Sequence, residues 1–133
     1  MAMNGYETAA SMLRALAHPV RLQIIDLLLA HGSACVCHLE AYLGKSQSYI
    51  SKQLSTLRAA GLVADRRQGL NVYYSVANDT LPSLMASLRE SALVTTGSSD
   101  IGPMVWRADV HPVTACSCPV CEPDLLEAVN HAR

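Results

Sequence analysis

The 133-residue chain contains no phenylalanine and a single tryptophan, so any core it builds is aliphatic. It has no apolar run of the ~18–20 residues that a membrane span needs. Its most apolar stretch, Val20 to Leu29, is broken by Arg21, Gln23 and Asp26. The opening residues, Met1-Ala2-Met3-Asn4-Gly5, lack the basic-then-apolar order of a secretory signal. The expectation is a cytoplasmic protein with no membrane partner. Thiols stay reduced in that compartment, so the five cysteines read as metal-binding or redox-reactive groups rather than a disulfide framework. Also missing are a Gly-rich phosphate loop, a Ser-His-Asp order and a paired carboxylate set. The Cys35-Val36-Cys37 pair has no nearby general base except His38. An enzyme is therefore not expected, and neither is an organic cofactor.

The net charge of −1 is low for a nucleic-acid binder until it is divided along the chain. Residues 45–74 hold Lys45, Lys52, Arg58, Arg66 and Arg67 against Asp65, which leaves +4, while residues 97–133 sum to −3. A cationic block of thirty residues binds phosphate whatever the whole-chain total. The length fits one domain plus a tail, divided here as residues 1–94 and 95–133.

Apolar periodicity and capping residues place the elements. Ala9, Met12, Leu13 and Leu16 form one stripe of a helix over 6–17. His18-Pro19 interrupts it, and Pro19 suits the first position of a second helix with Val20, Ile24, Leu27 and Leu28 inward. A short third helix spans 36–43, with Leu39, Tyr42 and Leu43 inward, and Gly44 fits its C-terminal cap. Ser46 reads as the N-cap of a fourth helix that ends near Ala60, with Ile50, Leu54 and Leu57 buried. Strands at Val63–Arg67 and Val72–Val76 flank the turn Gln68-Gly69-Leu70-Asn71. Alternation puts Val72, Tyr74 and Val76 on one side and Tyr73 and Ser75 on the other. Asp79 is expected to cap a fifth helix over 80–93, with Leu81, Leu84, Met85, Leu88 and Ala92 in its stripe. A linker from Val94 to Thr114 and a short last helix over 122–131 complete the reading.

Two short helices with a tight connection, followed by a basic hairpin, make a winged helix-turn-helix pattern, mainly α with a small β-hairpin. The outer face of the fourth helix carries Gln47, Ser48, Ser51, Lys52 and Ser55, small polar groups able to reach base edges in a major groove. With Lys45, Ser46, Tyr49 and Gln53 they form the expected DNA-reading set. Arg66 and Arg67 are placed on the wing.

Residues 10–76 resemble the ArsR/SmtB family of bacterial metal-sensing repressors. The resemblance rests on Ala15-Leu16-Ala17-His18-Pro19-Val20-Arg21-Leu22, on Cys35-Val36-Cys37-His38-Leu39, on the continuous segment Ser46 to Val63, and on Val72-Tyr73-Tyr74-Ser75-Val76. The chain departs from the family in having Gln53 where many members have His, and no basic residue at Leu70-Asn71. The resemblance implies a homodimer paired through the first and fifth helices, bound to double-stranded promoter DNA and released by a metal or metalloid. A two-fold dimer prefers an imperfect palindrome.

Cys35 and Cys37 are the candidate ligands in the folded part. Residues two apart in a helix point to nearly opposite sides, so both face one ion only where the chain is just entering the helix. Small buried thiols are the plain alternative. The tail contributes Cys116, Cys118 and Cys121, as a partner for the first pair, as a private zinc loop, or as an incidental tail. The roughly twenty residues between Thr95 and Cys116, at ~3.3 Å each, reach either subunit. Three thiolates suit As(III), Sb(III) or Pb(II), and four suit Cd(II) or Zn(II). The fifth helix has no histidine, so no second metal site is expected there. His38, His111 and His131 remain fallback ligands. Two other functions fit the cysteines: a thiol-redox or reactive-sulfur sensor on the same DNA-binding fold, and a metal-trafficking module without DNA binding.

Overall fold

The computed structural model describes residues 4–97. Five helices and three short strands follow one another as α1 (Gly5–Leu16), α2 (Pro19–His31), β1 (Ala34–Cys35), α3 (Val36–Leu43), α4 (Gln47–Ala59), β2 (Val63–Gln68), β3 (Asn71–Val76) and α5 (Leu81–Thr96). Each helix start has a local cause. Asn4 and Glu7 form a reciprocal capping box on α1, with Asn4 Oδ1 accepting from Glu7 N at 2.9 Å and Glu7 Oε2 accepting from Asn4 N at 3.0 Å. His18 caps α2 ahead of Pro19, and Ser46 Oγ accepts from Tyr49 N at the head of α4.

The core is aliphatic, as a chain without phenylalanine requires. Leu16, Ile24, Ile25, Leu27, Leu28, Leu39, Ile50, Leu54, Leu57, Leu62 and Leu81 are its fully buried large side chains. They draw α1 to α4 and the start of α5 around one cluster. A carboxylate–guanidinium clasp joins distant parts of the chain: Arg89 Nη2 on α5 lies 3.2 Å from both carboxylate oxygens of Asp26 on α2.

The strands form one antiparallel sheet in the order β1-β3-β2. In β2–β3, Val63 lies opposite Val76 and Gln68 opposite Asn71. In β1–β3, Ala34 lies opposite Tyr74 and Cys35 opposite Tyr73. Tyr74 and Val76 pack on the main core, whereas Tyr73 packs against Cys35 in a separate small cluster.

Several expectations need correction. Asp79 does not cap α5. The N-cap is Thr80, which makes no side-chain cap bond, because Asn78 Oδ1 accepts from both Thr80 N and Thr80 Oγ1 and shapes the entry instead. α5 runs to Thr96 and ends at Gly97, so residues 94–96, read as linker, are helical. Ala9 and Leu13 of the α1 stripe are exposed, as is Leu88 of the α5 stripe. The strand β1 was not expected at all. The proposed last helix and the tail cysteines Cys116, Cys118 and Cys121, with His111 and His131, lie outside the described residues.

Gly44 holds the elbow between α3 and α4 in the left-handed region, φ +64°, ψ +31°, and a Cβ there meets no atom within 4 Å. The cost of substitution is therefore conformational alone. Gly44→Ala is expected to lower stability by about 1–2 kcal/mol and Gly44→Asn by clearly less, measured as a shift of the urea midpoint at unchanged m-value.

Candidate nucleic-acid interface and thiol pair

α4 presents its N-terminal half to solvent. Ser46, Gln47, Ser48, Lys52 and Ser55 are exposed, and Ser51 and Tyr49 are half-buried. Lys45 is exposed in the elbow, and its Nζ stands 6.0 Å from the centroid of the Tyr49 ring. Gln53 departs from the expectation. It is 6% exposed, three residues after Ile50 and beside Leu54 on the inward face, so its amide does not look toward a groove. On the wing, Arg66 and Arg67 are exposed. Arg66 Nη2 donates to Gln68 Oε1 at 3.3 Å. Arg58, counted within the cationic block, is paired with Asp65 at 3.3 Å with both side chains in solvent, a pair of small energetic weight.

One contact at the head of α4 was not legible in the sequence. His18 Nδ1 accepts from Val20 N at 3.2 Å, which requires a lone pair there. In the neutral imidazole the proton then sits on Nε2, which donates to the Tyr49 hydroxyl at 3.3 Å. The hydroxyl's own proton stays available for an outside acceptor. His18 therefore both caps α2 and fixes the orientation of Tyr49 on the reading helix.

The thiol pair sits at the start of α3. Cys35 is at once the last residue of β1 and the N-cap of α3, with extended backbone at φ −86°, ψ 168° and no side-chain cap bond. Because Cys35 is extended and Cys37 is helical, the opposed directions of an i, i+2 helical pair do not apply. Their sulfurs lie 2.7 Å apart. Cys35 is 5% exposed, and the partly buried Cys37 and Tyr73 pack against it. Tyr73 is also the register partner of Arg66 on the far strand. One row across the sheet thus runs from a candidate thiol ligand to a wing arginine.

The pair is chemically suited to a soft ion: two sulfurs side by side at the head of α3. Among the described residues of one chain no group of three potential ligands gathers around one point. His38, one of the fallback ligands, is buried, with its ring tilted against those of His31 (centroids 6.1 Å) and Tyr42 (5.1 Å). Burial first, and the neighbouring His31 second, push its pKa down to about 4. His31 is also lowered by burial.

Two outcomes follow. His38 binds a proton at about pH 6.5 when unfolded but only near 4 when folded, so the unfolded chain holds more protons between those values. Stability is unaffected above this window, falls as pH drops through it, and levels off below. The loss is on the order of 3 kcal/mol, read from urea unfolding across pH, and His38→Leu is expected to flatten the slope. For the second contact, Tyr49→Phe and His18→Asn (Asn keeps a good cap) are each expected to weaken DNA binding about 3- to 10-fold, the worth of one hydrogen bond. The double variant should lose little more than either single one. Fully additive losses would show that the two residues do not act as a unit.

Comparison with known proteins agrees with this architecture. Residues 18–65 match the model of the bacterial regulatory protein, arsR family. An uncharacterized HTH-type transcriptional regulator of Methanocaldococcus jannaschii is 36% identical over 88 residues, spanning 66% of this chain and 99% of that protein. The arsenic resistance transcriptional regulator ArsR2 of Pseudomonas putida is 36% identical over 86 residues, 65% of this chain and 74% of the relative. Among solved structures, the homodimeric winged helix-turn-helix DNA-binding domain of a possible ArsR-family regulator from Mycobacterium bovis superposes with a TM-score of 0.62. It has 30% identity and covers 73% of this chain and 97% of that one. With the reading helix, the basic hairpin and these relatives taken together, the chain belongs to the ArsR/SmtB family of DNA-binding transcriptional regulators.

Proposed function

We propose that the protein represses transcription as a homodimer and leaves its operator when a soft metal or metalloid ion is held by Cys35 and Cys37 with one or two of Cys116, Cys118 and Cys121. The observation that carries this reading is that the extended backbone at Cys35 sets its sulfur beside that of Cys37 on a segment hydrogen-bonded into the wing sheet. As(III), Sb(III) and Pb(II) fit a three-thiolate set, and Cd(II) or Zn(II) a four-thiolate one. The arsenic-resistance role of a relative supports the first group.

Dimerisation through α1 and α5 is supported by the apolar side chains these helices leave in solvent: Tyr6 and Leu13 on the first, Leu88, Leu93 and Val94 on the second. Two reading helices about one turn of DNA apart, ~34 Å, favour an imperfect palindrome. Lys45, Ser46, Gln47, Ser48, Tyr49, Ser51, Lys52 and Ser55 face the major groove, with Arg66 and Arg67 on the adjoining phosphates. Metal acts by changing the equilibrium between DNA-competent and DNA-incompetent forms. A coupling of ~1–3 kcal/mol weakens binding about 5- to 150-fold.

The same sulfur–sulfur approach favours a second reading. Two thiols this close are placed for two-electron oxidation to a disulfide, with two protons released and a peroxide or polysulfide oxidant reduced. Anaerobic titration of metal into a protein–DNA complex with excess monothiol reductant separates the two, because only ion binding operates there. Under these conditions As(III) or Cd(II) is expected to release wild-type protein, followed by fluorescence anisotropy, while Cys35→Ser and Cys37→Ser stay bound. Release of both variants at the wild-type metal concentration removes the site from the mechanism. Salt-sensitive retention of promoter DNA, measured in the same assay, would exclude a trafficking module without DNA binding.

A further inference from the structure

We infer that Leu70, at the tip of the wing, enters the minor groove of bound DNA as an apolar probe, with Asn71 beside it and Arg66 and Arg67 holding the groove edges. The inference rests on the family's DNA binding and adds a contact that sequence reading did not assign.

The hairpin is built to present this side chain. Gln68 and Asn71 close the ladder, which leaves a two-residue loop of Gly69 and Leu70. Gly69 takes φ +63° and Leu70 does not have positive φ, the arrangement in which glycine fills the first loop position of a type II′ turn. That turn matches the twist of the strands and puts Leu70 at the apex, where it is 102% exposed. Among the described residues the other exposed large apolar side chains lie on α1 and α5. A single exposed leucine is ordinary on a protein surface; the surroundings of this one are not.

Charge is distributed along the hairpin as it is across a groove. The four tip residues, Gln68 to Asn71, are uncharged, and the two residues before them are arginines. Neighbouring strand residues point to opposite faces, so Arg66 and Arg67 flank the ribbon on its two sides. Phosphates line the two edges of a groove, and its floor is uncharged base. Two to three residues at about 3.3 Å each separate the arginines from the apex, a stalk of roughly 7–10 Å against a minor groove ~7.5 Å deep. The ~6 Å width of that groove takes one side chain rather than a whole ribbon. An apolar wedge there unstacks a base step, most easily a flexible pyrimidine–purine step. Asn71 meets the groove's acceptors.

The test uses the full chain and a duplex selected by the wild-type protein from a random pool, with 2-aminopurine next to the step under the wing. Anisotropy is recorded across a salt series. Leu70→Ala is expected to weaken binding about 5- to 30-fold at every salt concentration with the log–log salt slope unchanged, and to abolish the 2-aminopurine fluorescence gain. Arg66→Ala is expected to lower the slope by about one unit. Wild-type affinity in Leu70→Ala overturns the inference. So does tighter binding with a steeper slope in Leu70→Lys, since the apex would then lie against phosphate. A wild-type protein that selects no duplex fails at the earlier step, the DNA binding itself, and is distinguishable from both.

Discussion

The pairing of a two-residue strand with the wing governs how the parts of this protein relate. Because Ala34 and Cys35 add to the free edge of β3, the entry to α3 is extended rather than helical, and this brings two sulfurs two residues apart onto one side. The same pairing makes β3 the central strand of a three-stranded sheet. A two-stranded ribbon has little to hold it; here it gains a third strand whose end carries the thiols. The thiol pair is thus attached to both parts of the proposed DNA interface, to α4 through the packing of α3 against it and to the hairpin through the Cys35–Tyr73–Arg66 row. A change of backbone at Cys35 has two physical routes outward.

Much of the fold was legible because its boundaries carry chemistry. Pro19, Ser46 and Gly44 occupy the N1, N-cap and C-cap positions, and each is a residue whose local energetics suit that position. The hairpin was legible because Val72 to Val76 alternate and Gly69 sits in a four-residue turn. β1 was not, since two residues hold no period. Tyr73 gave a partial signal: alternation put it opposite Tyr74, yet nothing in the pattern named Cys35 as the group it would cover. Gln53 was misplaced because its polarity was weighed above its position, three after Ile50 and four before Leu57, which is inward in a 3.6-residue helix. Leu13 and Leu88 failed for the opposite reason. An amphipathic stripe marks what is apolar, and the core of one protomer covers only part of that stripe.

The charge distribution follows the same division between local and global. Screening limits the reach of exposed charges to about 8–10 Å at physiological ionic strength, so acidic residues elsewhere do little to cancel the cationic block. Within the block the cations are not equivalent. Arg58 is neutralised by Asp65, Lys45 lies near the Tyr49 ring, and Lys52 and Arg67 are exposed. With Asp65 set against Arg58, the remaining cations of the block are Lys45 in the elbow, Lys52 on α4 and Arg66 and Arg67 on the hairpin.

The clasp between Arg89 and Asp26 joins groups 63 residues apart. It fastens the last helix to α2, within the body that carries α4. Were two protomers joined through α5, as proposed above, that fastening would make the interface a gauge: the stagger of the two chains would set how many base pairs lie between the half-sites. Altered operator spacing in such a protein can therefore originate in a side chain that touches neither DNA nor inducer.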